Sequence, residues 1–149
     1  MKWLQLAGFL ALTVGGGFLI GSGNRPDDWY RDLDKPWFSP PDWVFAPAWT
    51  IIYVLVAVAG WRALRAGNRR ALVAWGVQLA LNFLWSPIFF TAHAVLPAFL
   101  VILGLFAAIL VFLGRVGPRD PVAFWCFVPY AVWVAYAGAL NGAIAWLNS

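Results

Sequence analysis

Charge in this chain is confined to short stretches between five apolar runs, at residues 3–22, 43–64, 70–91, 94–114 and 121–147, and nothing else in the sequence constrains the fold as strongly. Every Lys, Arg and Asp lies outside these runs or within one helical turn of an end. Each run reaches the roughly 20 residues that cross a ~30 Å hydrocarbon layer at about 1.5 Å per residue. Open strands are a poor solution in lipid, where each unpaired backbone group costs several kcal/mol, and the runs lack the alternation of a barrel strand. With 11% charged residues over 149 positions, against about 25% in soluble chains, no soluble domain of this size would hide the apolar surface. The expected fold is an all-α integral membrane protein, one domain over residues 1–149. Five transmembrane helices form a bundle, with a long structured loop between the first two. The first run also has features of a secretion signal, with Lys2 before it and Gly21, Ser22 and Gly23 at its end, but it is longer than a usual signal core.

The same distribution excludes several functions. One cysteine, Cys126, forms no internal disulfide, and one histidine, His93, leaves no His/Cys cluster for zinc or haem, so no metal site is expected. The net charge of +4 is not a nucleic-acid stripe, because the basic residues sit between apolar runs. Counted by side, Lys2, Arg62, Arg65, Arg69, Arg70, Arg115 and Arg119 oppose Arg25, Arg31 and Lys35. The positive-inside rule then puts the N-terminus in the cytoplasm, and the 23–42 loop and the C-terminus outside. The bland reading of these arginines is topological.

Helix punctuation is legible at several points. Asp42 before Trp43 reads as an N-cap, and Asp120 before Pro121 places a cap and a first-turn proline at the fifth helix. Pro87 and Pro129 lie inside their runs and predict bends. Small residues spaced for close helix approach occur at Gly17/Gly21, Gly76/Ala80, Gly104/Ala108 and Gly138/Gly142, and the Gly76/Ala80 face is the candidate seam of a homodimer.

The eleven tryptophans divide into two sets. Trp3, Trp29, Trp37, Trp43, Trp61, Trp125 and Trp146 lie near helix ends or in the loop, where an interfacial belt accounts for them. Trp49, Trp75, Trp85 and Trp133 do not. Helical spacing gives Trp49 and Tyr53 one face; Asn82, Trp85 and Phe89 another; and Trp133, Tyr136, Ala137, Leu140 and Asn141 a third. Trp49, Trp85 and Trp133 are expected to converge. An amide at mid-membrane depth either bonds a neighbouring helix or lines a cavity, so Asn82 and Asn141 suit interhelical hydrogen bonds and also a cavity for a flat, mostly apolar ligand.

Three blocks, "PDDWYRDLDKPWFSPPDWVFAPAWTIIY", "QLALNFLWSPIFF" and "VPYAVWVAYAGALN", closely resemble the signature regions of the tryptophan-rich sensory protein and translocator protein family, formerly called peripheral benzodiazepine receptors. The resemblance covers nearly the whole chain. It implies a five-helix bundle, usually dimeric, that binds porphyrins such as protoporphyrin IX, sterols and synthetic aromatic ligands, in bacterial membranes or the mitochondrial outer membrane. By position it assigns ligand contacts to Tyr30, Pro40, Trp49, Tyr53, Ser86, Phe89, Trp133 and Ala137, to which the spacing argument adds Asn82, Trp85 and Asn141. Trp49 and Trp133 match the indoles implicated in light-dependent porphyrin breakdown in some bacterial members. The Tyr and basic residue of the sterol pattern proposed for the last helix are missing from "LNGAIAWLNS".

The apolar runs hold no nucleophile–base set, carboxylate pair or phosphate-cradling loop, so ordinary acid–base catalysis is not expected and no cofactor is required. Three functions remain open on this reading. One is a membrane receptor for porphyrins and other flat ligands. The second is a photo-oxidative enzyme acting on bound porphyrin through Trp49 and Trp133. The third is a tetrapyrrole or sterol transporter, although no intramembrane acid or inverted repeat supports pumping. A bacterial multi-pass protein is expected, with Pro36, Pro40 and Pro41 stiffening the outer loop into a lid.

Overall fold

The computed structural model describes all 149 residues. Five long helices span the membrane: α1 (Lys2–Gly23), α3 (Asp42–Arg65), α4 (Arg69–Thr91), α5 (Val95–Arg119) and α6 (Pro121–Leu147). A short helix, α2 (Asp28–Asp32), lies in the loop that joins α1 to α3. The protein is therefore an all-α, multi-pass membrane bundle. Its outer surface carries large apolar side chains, with Ile51, Val73, Leu100 and Val132 all more than 60% exposed, a distribution that suits lipid and not water.

The helix ends follow local chemistry. Asp120 accepts a hydrogen bond from the Ala123 amide at 3.1 Å, with Pro121 in the first turn, as expected. Asn68 caps α4 in the same way through the Ala71 amide. The expected cap at Asp42 does not form. The chain enters α3 through a tight 3₁₀ turn, Asp42–Val44, of which Asp42 is the first residue, so its carboxylate turns instead towards Arg31 at 3.8 Å. Gly67, with φ of 67°, breaks the chain out of α3 in a left-handed conformation that costs glycine little.

Two spanning helices leave α geometry. α4 ends in a π turn over Pro87–Thr91, where the Ala92 amide reaches the Pro87 carbonyl at 2.9 Å. A proline supplies no amide and crowds the preceding turn, so a wider turn at this point is the expected response. α1 contains a π segment at Ala11–Gly15, which no proline announces. α6 runs through Pro129 as one helix.

The helices pack in the ring order α1, α3, α6, α5, α4, and the second half of α1 closes the ring against α4. Packing is tightest among α4, α5 and α6. There Ile102, Leu105, Ile109 and Phe112 of α5 and Phe127, Val134 and Ile144 of α6 are all buried, and the Phe112 and Phe127 rings lie 4.0 Å apart. α1 is peripheral, and only Thr13 is buried along it. Its contacts depend on glycine as a space. A Cβ on Gly17 would come within 2.2 Å of the Tyr53 ring, and one on Gly60 of α3 within 2.5 Å of Trp75 and 2.8 Å of Phe9. Gly76 and Ala80 are exposed on the outside of the bundle.

Trp75 is buried, meets the Phe9 ring edge-on at 5.0 Å and donates to the Val56 carbonyl at 2.9 Å, so an added methyl group on Gly60 would have to displace a ring held by both contacts. Gly60→Ala is expected to destabilise the bundle by about 1–3 kcal/mol. Unfolding of purified protein in mixed detergent micelles measures this, and an unchanged midpoint would show that Trp75 moves freely.

Candidate functional site

A cavity of about 740 Å³ opens among the halves of α1, α3 and α4 nearest the α1–α3 loop, under the start of that loop. Aromatic side chains face each other across it. Trp49 and Tyr53 of α3 stack at 5.6 Å on one side, and Trp85 and Phe90 of α4 form the other. α1 contributes Phe18 and the small faces of Gly15, Gly17 and Gly21. Its size lies within the range of roughly 300–1,000 Å³ typical of small-molecule sites.

The residues singled out from sequence fall into three layers. Trp49, Tyr53, Asn82, Trp85 and Ser86 line the cavity. Phe89, Trp133 and Asn141 form the layer behind it: Phe89 stacks on Trp85 at 5.2 Å, Trp133 meets Trp49 edge-on at 6.0 Å, and Asn141 accepts from the Trp85 indole at 2.9 Å. Ala137 is buried in the core. Tyr30 and Pro40 belong to the loop above, Tyr30 fully buried and Pro40 half-buried. Thus Trp49, Trp85 and Trp133 do converge, but the open volume lies on the α1 side. Trp133 and Tyr130 fill the space beside α6.

A polar chain runs inward from the cavity wall. The Tyr53 hydroxyl donates to Asn82 Oδ1 at 2.7 Å, Asn82 Nδ2 donates to the Tyr130 hydroxyl at 2.7 Å, and Tyr130 donates to Gln78 Oε1 at 2.6 Å. The chain has one direction, so every bond polarises the next. It starts at a phenol on the cavity wall and ends at Gln78 Nε2, which is buried with no partner. The indole nitrogen of Trp133 is likewise buried and unpaired. Gln78 and Tyr130 are not among the site residues expected from sequence. Their signal was helical spacing, since Gln78 precedes Asn82 by one turn and Tyr130 shares a face with Trp133.

The loop forms a fastened cover. Asn148, at the end of α6, bonds both backbone groups of Asp34, at 3.1 and 2.8 Å. Tyr136 donates to the Phe38 carbonyl, and Thr91 to Asn24 Oδ1. Trp29 stacks on His93 at 4.0 Å, and His93 holds a left-handed backbone, φ 55°, that is uncommon outside glycine. Lys35 donates to the carbonyls of Tyr30, Arg31 and Leu33, which closes the end of α2. Tyr30 is only 1% exposed, and burial first, then the charge of Asp42 and the nearby Tyr136, push its phenol up to about 12. Tyr30 therefore stays neutral across physiological pH.

The only charged side chains on the cavity wall are Arg25, Arg31 and Asp42, at its mouth. Arg31 is held by Asp28 at 3.0 Å and lies 3.8 Å from Asp42, whereas the guanidinium of Arg25 has no ion-pair partner. Below the mouth the wall offers rings, a phenol, amides and hydroxyls. Such a lining suits binding and orientation, and holds no set for acid–base or nucleophilic catalysis.

Comparison with known proteins gives one consistent result. The sequence profile described as the TspO/MBR family matches residues 9–147. The chain is 36% identical to a tryptophan-rich sensory protein of Cereibacter sphaeroides, over 95% of this chain and 89% of that protein. It is 37% identical to the protein CrtK of Rhodobacter capsulatus, over 94% and 89%. Similarity extends to the human translocator protein, 35% identical over 93% of this chain and 87% of the relative.

The polar chain yields an ordering of variants. Asn82→Leu leaves the Tyr53 phenol without its acceptor and the buried Tyr130 phenol without its donor, and is expected to cost roughly 1–2 kcal/mol. Gln78→Leu also removes an unsatisfied donor and is expected to cost clearly less. Detergent-titration unfolding of both variants tests the assignment, which fails if Gln78→Leu is the more damaging.

Proposed function

The chain belongs to the TspO/MBR family, and on that premise we propose that it is a membrane receptor that binds porphyrins, protoporphyrin IX in the first place, in the cavity among α1, α3 and α4. One observation carries this reading: a cavity with Trp49 and Tyr53 on one side, Trp85 and Phe90 on the other, and the unpaired guanidinium of Arg25 at its mouth. A protoporphyrin is a wide, flat, apolar ring with two carboxylates on one edge. Its face would stack against Trp49 and Trp85, its carboxylates would meet Arg25 at the mouth, and the Tyr53 hydroxyl would offer a polar contact from below. Aromatic stacking and a charge-assisted bond act on different parts of such a ligand.

A photo-oxidative activity is the second reading, favoured by the placement of Trp49 on the wall with Trp133 in edge contact behind it. Light would excite the bound ring, the ring would be oxidised as it breaks down while dioxygen is reduced, and the two indoles would be oxidisable groups beside it. The chain would act as a homodimer, for which the outward Gly76/Ala80 face of α4 is the candidate seam. The positive-inside rule would place the basic end in the cytoplasm.

Titration of purified protein with protoporphyrin IX, followed through its Soret band, tests the assignment. Arg25→Gln is expected to weaken binding by about three- to tenfold, as loss of a partly exposed charge-assisted bond should, and to leave affinity for the dimethyl ester unchanged. Trp49→Ala is expected to weaken both ligands. Equal affinity of wild type and Trp49→Ala for both would remove the cavity from consideration. Illumination of the complex decides the second reading: a porphyrin spectrum that bleaches no faster with wild type than with Trp49→Phe leaves binding alone.

A further inference from the structure

The end of the bundle away from the lid carries an excess of positive charge, and most of it gathers around one cleft that is no part of the aromatic cavity. Lys2 and six arginines lie there against a single acid, Asp120, because the other five aspartates all fall between residues 27 and 42. Five of these arginines, Arg62, Arg65, Arg69, Arg70 and Arg119, line one cleft of about 610 Å³ at the α3–α4 and α5–α6 turns. Asp120 neutralises only one of them. Its carboxylate takes the Arg62 Nε at 2.8 and 3.1 Å and also caps α6 through the Ala123 amide. Arg69, Arg70 and Arg119 have no side-chain partner, and Arg65 lies over the Trp61 ring at 5.7 Å. Like charges gathered round one space repel, and an anion seated among them relieves that repulsion.

Depth identifies the source of the anion. Trp61 lines the same cleft, stacks on Trp3 at 5.7 Å and donates to the Lys2 carbonyl at 2.9 Å. Tryptophans at helix ends settle at the level of the lipid headgroups. Leu4 and Leu64, on the flanking helices, are exposed and apolar, as a surface beside acyl chains must be. A phosphate at this level with hydrocarbon below it is a phospholipid head. Guanidinium groups suit it because they bind phosphate oxygens in pairs, and basic pockets between transmembrane helices are a recurring solution for anionic heads.

We propose that this cleft is a specific site for the headgroup of an anionic phospholipid, separate from the aromatic cavity at the opposite end. The site does not depend on porphyrin binding. Its occupancy would tie the α3–α4 turn to the α5–α6 turn and so stabilise the bundle from the basic end.

The test uses the full-length protein in neutral detergent, titrated separately with dioleoylphosphatidylglycerol, dioleoylphosphatidylcholine and inorganic phosphate. Thermal unfolding and lipid retention in native mass spectra are the two readouts. Phosphatidylglycerol is expected to raise the unfolding midpoint saturably, and phosphatidylcholine and millimolar phosphate to leave it in place. Arg69→Gln/Arg70→Gln is expected to lower phosphatidylglycerol retention by about tenfold or more. Lys2→Gln/Arg115→Gln removes the same charge from the same end outside the cleft and should leave retention unchanged. Equal losses in the two double variants would reduce the effect to general attraction by a basic surface and overturn the site. An equal response to inorganic phosphate would make it a soluble-anion site. Equal stabilisation of the wild type by both lipids would overturn the proposal without reference to any variant.

Discussion

Hydrocarbon offers a backbone no hydrogen-bond partner, and the rest of this structure follows from that. Each spanning segment satisfies its own amides and carbonyls by forming a helix, and side-chain polar groups must find one another inside the bundle. The chain from Tyr53 through Asn82 and Tyr130 to Gln78 is the result, with Thr13 bonding the Tyr53 carbonyl at 2.9 Å from the other side. These bonds cross-link α1, α3, α4 and α6 in a medium where apolar contact between helices gains little over contact with lipid. Close packing supplies the remainder, through glycines that admit an aromatic ring, as Gly60 admits Trp75.

The two ends of the bundle have opposite electrostatic character, and each supports a different kind of recognition. At the lid end, aspartates outnumber the basic groups, the arginines are individually placed, and the cavity below is aromatic. At the other end the arginines are pooled, and one carboxylate restrains one of them. A flat amphiphile suits the first environment and a phosphate head the second. Both readings depend on guanidinium groups without carboxylate partners; at the basic end several of them gather round one space, and an anion seated there would relieve their repulsion.

Legibility in the sequence varied with how local the cause was. Asp120 followed by Pro121 read correctly as a helix start because both act within one turn. Asp42 looked similar but was drawn into the first turn and towards Arg31, an interaction with a loop helix that no local pattern encodes. The faces of Trp49, Tyr53, Asn82 and Trp85 were legible because helical periodicity puts them in register. Gln78 was not singled out, although it sits one turn from Asn82, because its importance comes from Tyr130, 52 residues away. The role of α1 was legible only in part for a related reason: the Gly17/Gly21 spacing reads as a face for close approach, but only the tertiary structure shows that it is the Tyr53 ring that lies against Gly17.

The sequence by itself determined the solvent, the helical class, five spanning segments and the charge at each end, because all of these follow from composition within windows of about 20 residues. Only the tertiary structure decided where volume remains. Free volume is what is left after side chains from distant segments have filled the interior. Tyr130 and Trp133 fill the α6 side, the glycines of α1 leave the opposite side open, and the cavity therefore lies among α1, α3 and α4.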